Sequence, residues 1–106
     1  MTPTLHDLST LIQFADKGIV SKSLYDSPDL KLVLFCFEAG QALSEHTAPF
    51  EAVIQVQQGS GVATLGGAAH TVQAGSVIVM PRGLPHAITA RERLVFILTM
   101  AKSSKA

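Results

Sequence analysis

Turn-forming glycines recur along this chain too often for a helical fold. Gly40, Gly59, Gly61, Gly66, Gly67, Gly75 and Gly83 divide it into pieces of strand length. Between them lie runs rich in β-branched and aromatic residues: KLVLFCFE at 31–38, EAVIQVQ at 51–57, GVATLG at 61–66, SVIVMP at 76–81 and RLVFILTM at 93–100. Short runs at even spacing, separated by turn residues, predict an all-β sandwich or barrel. Their period is close to two. In 31–38, Leu32, Leu34 and Cys36 share one face, while Val33, Phe35 and Phe37 share the other. Both faces are apolar, so this strand is expected to be covered on both sides, within a two-layer sandwich and against a partner. Gly66-Gly67 predicts a tight hairpin turn, because two-residue turns need positive φ. Ser60-Gly61, following Gln58-Gly59, is a second expected turn.

Only the N-terminal TLHDLSTLIQF has helical spacing. Leu5, Leu8, Leu11 and Ile12 fall on one side, and Asp7 suits a first turn, so a short N-terminal helix is expected. The closing KSSKA reads as a frayed polar tail.

A length of 106 residues is expected to form one domain over 1–106, with enough chain for one core. Charged residues are 15% of the chain, against roughly 25% in an average globular protein, and apolar residues are 47%. Lys+Arg and Asp+Glu number 8 each. That balance argues against a disordered chain, a nucleic-acid binder and a polybasic membrane-surface protein. A single cysteine, Cys36, excludes an intramolecular disulfide and a multi-cysteine zinc site, and its phase with Leu32 and Leu34 makes it a small core residue. No apolar run approaches the roughly 18 residues of a membrane-spanning helix. The start MTPTLHDLST lacks the basic-then-apolar pattern of a secretory signal. The expected class is a soluble, cytoplasmic domain with little surface charge. Such a chain, with strands apolar on both faces, is expected to form a homodimer; Gln55, Gln57 and Gln58 either meet there or face water.

Two segments share a design in which a turn glycine starts a strand that delivers one histidine. The first is Gly40-QALSE-His46-TAPFEAVIQVQQ-Gly59, and the second is Gly75-SVIVM-Pro81-R-Gly83-LP-His86. This pair resembles the two motifs of the cupin superfamily, G-x5-H-x-H-x3,4-E-x6-G and G-x5-P-x-G-x2-H-x3-N. Gly75, Pro81, Gly83 and His86 fall at the second motif's spacing, and Gly40, His46 and Gly59 keep the register of the first, with Pro49 where many cupins have proline. The motifs cover 40–59 and 75–90. The likeness is to small single-domain cupins of the conserved-barrel type, most without assigned function. It implies a double-stranded β-helix, or jelly roll, of two packed antiparallel sheets.

Metal-binding cupins hold the ion with three histidines and a glutamate. The resemblance puts Ala48 at the second histidine position, Ala52 at the carboxylate position and Ala90 at the motif's final asparagine. Of the ligand set, only His46 and His86 remain. The functional reading is a pair converging in the barrel mouth, able to bind metal or move protons near neutral pH. The bland reading is two histidines held by hydrogen bonds in a pocket without metal. A divalent transition ion (Zn, Ni, Mn or Fe) and no cofactor at all are both open. Glu51 is the candidate third ligand if the 48–51 turn departs from regular pairing; Glu45, His70, His6, water or the bound molecule are the others. His70, in phase with Val72, reads as a sheet residue, His6 as an exposed one, and Arg82 as a solvated turn residue. The resemblance further implies that Ala48, Phe50 and Ala52 line an apolar pocket, since alanine in place of larger ligand side chains leaves space. Three functions follow: a small-molecule-binding protein with a weak metal site, a metal-dependent dioxygenase or isomerase using His46 and His86, or a metal-free acid/base enzyme.

Overall fold

The computed structural model describes residues 2–102; part of the closing polar tail, 103–106, lies outside them. Nine strands are found among the described residues: β1 Val20–Asp26, β2 Leu30–Phe37, β3 Ala42–His46, β4 Glu51–Gln58, β5 Ser60–Leu65, β6 Ala68–Gln73, β7 Val77–Met80, β8 His86–Ala90 and β9 Leu94–Ala101. All pairs are antiparallel. They form a five-stranded sheet, β1-β2-β9-β4-β7, and a four-stranded sheet, β3-β8-β5-β6. This is the all-β architecture expected from the glycine spacing, in the two-sheet form that the cupin resemblance implies. No helix among the described residues is long and apolar enough to cross a membrane.

The core between the sheets follows the period of two. On β4, Ala52, Ile54 and Val56 point inward and are buried, while Glu51, Gln55 and Gln57 are exposed. Phe37 and Phe96 are almost fully buried, and Phe35 stacks on Phe96 with ring centroids 5.1 Å apart. Each such ring, removed from water, contributes about 1.5–3 kcal/mol.

β2 is apolar on both faces and covered on both, but no second subunit is needed to cover it. Its outer side chains, Leu34 and Cys36, form a second buried cluster with Leu24 and Val95, and Leu8, Leu11, Ile12 and Phe14 pack over them. The chain's own N-terminal segment is the cover. Three polar contacts fasten it. The Gln41 side-chain amide donates to the carbonyls of Ala15 and Gly18, both at 3.0 Å. The Arg93 guanidinium lies 4.6 Å from the centre of the Phe14 ring, a cation–π distance. Arg93 Nε also donates to Glu38 at 2.9 Å, which holds the Glu38 carboxyl below its ordinary value.

The expected N-terminal helix is reduced to one 3-10 turn, Leu8–Thr10. The reason is local competition for hydrogen bonds. The Asp7 carboxylate accepts from the Ser9 amide and hydroxyl, and the Thr10 hydroxyl donates to the Asp7 carbonyl. Ser, Thr and Asp offer the backbone such alternatives to a continuing helix. Leu5, expected on the helix's apolar side, is 95% exposed.

Gly66 and Gly67 both have positive φ and turn β5 into β6, as expected. The other expected turn is shorter, because Ser60 and Gly61 already belong to β5 and Gly59 alone separates it from β4. β4 and β5 lie in different sheets, so Gly59 makes a corner between layers instead of a hairpin. Its φ is +86°, and a Cβ there would overlap the Arg93 carbonyl. Gly67 has a similar φ of +87° but open space around it. Gly67→Ala should therefore cost only the left-handed backbone penalty, about 1–2 kcal/mol. Gly59→Ala should cost more, because β9's leading turn must also move. Urea unfolding midpoints of the two variants measure the difference; equal losses would contradict the corner's role.

Candidate functional site

The two motif histidines meet because their strands are neighbours. β3 ends at His46, β8 begins at His86, and the two residues are opposite one another in the pairing. The ladder shifts register between Leu43 and His46, which re-aims the end of β3. The imidazole centroids lie 4.2 Å apart with planes at 60°. Two turns frame them: the chain from Thr47 to Phe50 connects β3 to β4, and the Pro81–Pro85 stretch connects β7 to β8. The Gly83 amide donates to the Ala48 carbonyl at 3.0 Å, which ties one turn to the other beside the histidines.

Both rings are oriented in the same way. His46 Nδ1 is 2.9 Å from the Ser44 carbonyl, and His86 Nδ1 is 2.9 Å from the Leu84 carbonyl. A carbonyl oxygen can only accept, so each Nδ1 carries the hydrogen and each neutral ring keeps its lone pair on Nε2. The environments differ in depth. His46 is exposed, whereas His86 is 7% exposed and is the buried polar side chain of the described core. Its bond to Leu84 meets the need of a buried polar group for a partner.

A cavity of about 240 Å³ opens at this pair. Ala48, Phe50 and Ala52 line it together with both histidines, as do Met80, Leu98 and Met100. The small side chain at 52 leaves the space, because Ala52 stands opposite Met80 on one side and Met100 on the other. Sequence reading missed Met80, Leu98 and Met100. The signal was present in the alternation of β9, where Phe96, Leu98 and Met100 share the inner phase.

Glu51 does not join the site. It is exposed on the face of β4 opposite Ala52, because adjacent strand residues point to opposite faces. Glu51, expected as a third ligand, is not among the residues that line the cavity. His70 lies on β6, and His6 donates from Nε2 to the Leu24 carbonyl on the outer side of the other sheet. Among the described residues no three His, Cys, Asp or Glu side chains group as a ligand set. A catalytic metal commonly needs three protein ligands. Two imidazoles lined by alanines do not fit a tightly held resident ion, although each has the carbonyl-bonded Nδ1 that orients a ligand histidine.

A larger cavity of about 670 Å³ lies beneath the N-terminal segment, against Leu24, Tyr25 and Leu32. Its one imidazole, His6, is already bonded through Nε2. The smaller cavity is the better candidate because two polar groups converge on an apolar chamber there.

Comparisons with known proteins bear on the family and the fold. The Cupin domain family matches residues 33–100, a span that contains both glycine-to-histidine segments. No curated protein matches the chain. Among solved structures, an RmlC-like cupin protein from Desulfovibrio desulfuricans superposes with a TM-score of 0.87 at 30% identity, over 95% of this chain and 98% of that one. A conserved protein of unknown function from Streptococcus pyogenes gives a TM-score of 0.85 at 27% identity, over 99% and 92%. Salicylate 1,2-dioxygenase from Pseudoaminobacter salicylatoxidans is similar in fold at 19% identity, with a TM-score of 0.74 over 79% of this chain and 27% of the enzyme. A two-sheet β-sandwich with its paired histidines at one mouth, matched over its central 33–100 by that family, belongs to the cupin family.

Proposed function

We propose that the protein binds a small, mainly apolar molecule that carries one hydrogen-bond donor. The observation that carries this reading is the union of the alanine-lined cavity with two imidazoles whose Nε2 atoms are the basic nitrogens. The donor group of the ligand meets the histidines, and its apolar body meets Phe50, Ala52, Met80 and Leu98. A volume of 240 Å³ is that of about eight waters at roughly 30 Å³ each, which suits a single substituted ring or a short branched chain. Buried apolar area supplies the affinity, and the imidazole acceptors set the orientation.

One second reading has an observation in its favour. An imidazole lone pair facing a bound donor is also a base, and a second imidazole 4.2 Å away can share the proton. A metal-free acid/base enzyme would use the same two residues on the same ligand class.

Two measurements test these readings. Nitrogen-15 histidine spectra under conditions where both rings are neutral should show the hydrogen on Nδ1 of His46 and His86; a hydrogen on Nε2 would remove the acceptors. Monocyclic phenols, tested by calorimetry, should bind the native protein, and Ala52→Phe should weaken them by at least about tenfold, since filling a snug apolar site costs at least 1–3 kcal/mol. Glu51→Gln should leave the affinity unchanged. Equal affinity in the native and Ala52→Phe proteins would place binding elsewhere.

A further inference from the structure

The first described residues lie over the outer face of the five-stranded sheet, on the side away from the histidine pair. Residues 2–7 belong to no helix or strand. Thr2, Thr4, His6 and Leu8 line the cavity of about 670 Å³ beneath them, while Leu5 is 95% exposed. Side chains that alternate between facing in and facing out belong to extended chain. The helix expected here would have turned Leu5 and Leu8 to one side. The extended segment instead sets two threonines and a histidine over the sheet as a polar roof.

An irregularity in β1 builds the floor. Ser23 pairs with Val33 and Tyr25 with Leu32, so Leu24 is the extra residue of a bulge. The bulge puts two neighbours, Leu24 and Tyr25, on the same outer face, and both line the cavity. It also takes Leu24 out of the ladder, and His6 Nε2 donates to the Leu24 carbonyl at 2.6 Å. One bulge therefore widens the floor and fastens the roof. A carbonyl only accepts, so a neutral His6 ring has its hydrogen on Nε2 and its lone pair on Nδ1. Leu30, Leu32 and Ile97 complete a floor that crosses three adjacent strands. Ile97 stands opposite Leu34, four residues along β2 from Leu30. At roughly 3.3 Å per residue the floor is about 13 Å long. No Asp, Glu, Lys or Arg among the described residues lines the cavity.

We infer that this cavity is a second binding site, for an uncharged straight-chain amphiphile with a terminal hydroxyl group. Its volume lies within the range of about 300–1,000 Å³ of small-molecule sites, and it has their make-up of apolar lining with a few polar groups. The long floor suits a chain better than a compact ring. With no charged side chain in the lining, an ionised head group would lose water without gaining a partner. The ligand's hydroxyl donates to His6 Nδ1, and its chain lies along Leu24, Leu30, Leu32 and Ile97. The site is independent of the histidine mouth. On β9, Ile97 lines the outer cavity while its neighbour Leu98 lines the inner one.

The chain carries its own optical probe of this site. Tyr25 is its single tyrosine and it has no tryptophan, so intrinsic emission reads the outer cavity. Hexanol, octanol and decanol, titrated into the native full chain, should each give a saturable change in tyrosine emission. Affinity should rise about fourfold per added methylene, the equivalent of about 0.8 kcal/mol for each one buried. Decanoate, ionised at neutral pH, should bind at least about tenfold more weakly than decanol. His6→Ala should weaken octanol binding about threefold to tenfold, the loss of one hydrogen bond. Leu5→Ala, in the same segment but facing water, should leave it unchanged. Methyl NMR of the native protein locates the ligand: octanol should shift the signals of Leu24, Leu30 and Ile97 and leave those of Ala48 and Ala52 in place. No saturable change, affinity independent of chain length, decanoate binding as tightly as decanol, undiminished binding by His6→Ala, or shifts confined to Ala48 and Ala52 would overturn the proposal. Emission and methyl signals that follow protein concentration and ignore the alcohols would give the cavity to a second copy of the chain, and would overturn it too.

Discussion

Everything in this molecule depends on the pairing of β2 with β9 in the middle of the larger sheet. The two strands align Phe35 with Phe96, Cys36 with Val95 and Leu34 with Ile97. Odd positions of β2 feed the core between the sheets, where Phe35, Phe37 and Phe96 stack within 6.4 Å of one another. Even positions feed the outer cluster beneath the N-terminal segment. A slip of one residue would exchange the two sets, and neither environment has space for the other's side chains. β9 also pairs with β4 on its other side, in a register that sets Ala52 opposite Met100 at the floor of the cavity.

The site brings two histidines from separate segments of the chain to one apolar mouth. Two strands from different motifs still deliver His46 and His86 to one point, and both rings keep the carbonyl-bonded Nδ1 that fixes a tautomer. Ala48 and Ala52 stand at the positions that the family likeness gives to a histidine and a carboxylate, and both line the cavity. Methyl groups in place of donors make the mouth an apolar chamber with two nitrogens along one wall. The proposed binding through burial, with direction from those nitrogens, rests on that lining.

Much of the fold was legible because alternation and turn residues act locally. The strands β2, β4, β5, β7 and β9 were visible as β-branched runs, and the Gly66-Gly67 hairpin as two residues able to take positive φ. β1 and β8 were harder. In VSKSLYD polar residues hide the alternation that pairing completes, and HAITA is only five residues long. The N-terminal segment misled for a physical reason: Leu5, Leu8, Leu11 and Ile12 have helical spacing, yet Asp7, Ser9 and Thr10 consume the backbone groups a helix would need. For the site, the motif spacing named His46 and His86, and strand parity put Ala52 inside and Glu51 outside. Alternation along β9 already set Leu98 and Met100 on the inner phase, but only the register of β4 with β7 and β9 brought them and Met80 beside Ala52.

The proposed pocket holds two histidines and no resident metal. Elemental analysis of the purified protein, followed by titration of native and His46→Ala protein with Zn, Ni, Mn and Fe, decides the point. Dialysed native protein should carry far less than one equivalent of any metal and bind each only weakly on titration. One equivalent that survives dialysis in the native protein and is lost in His46→Ala would contradict it.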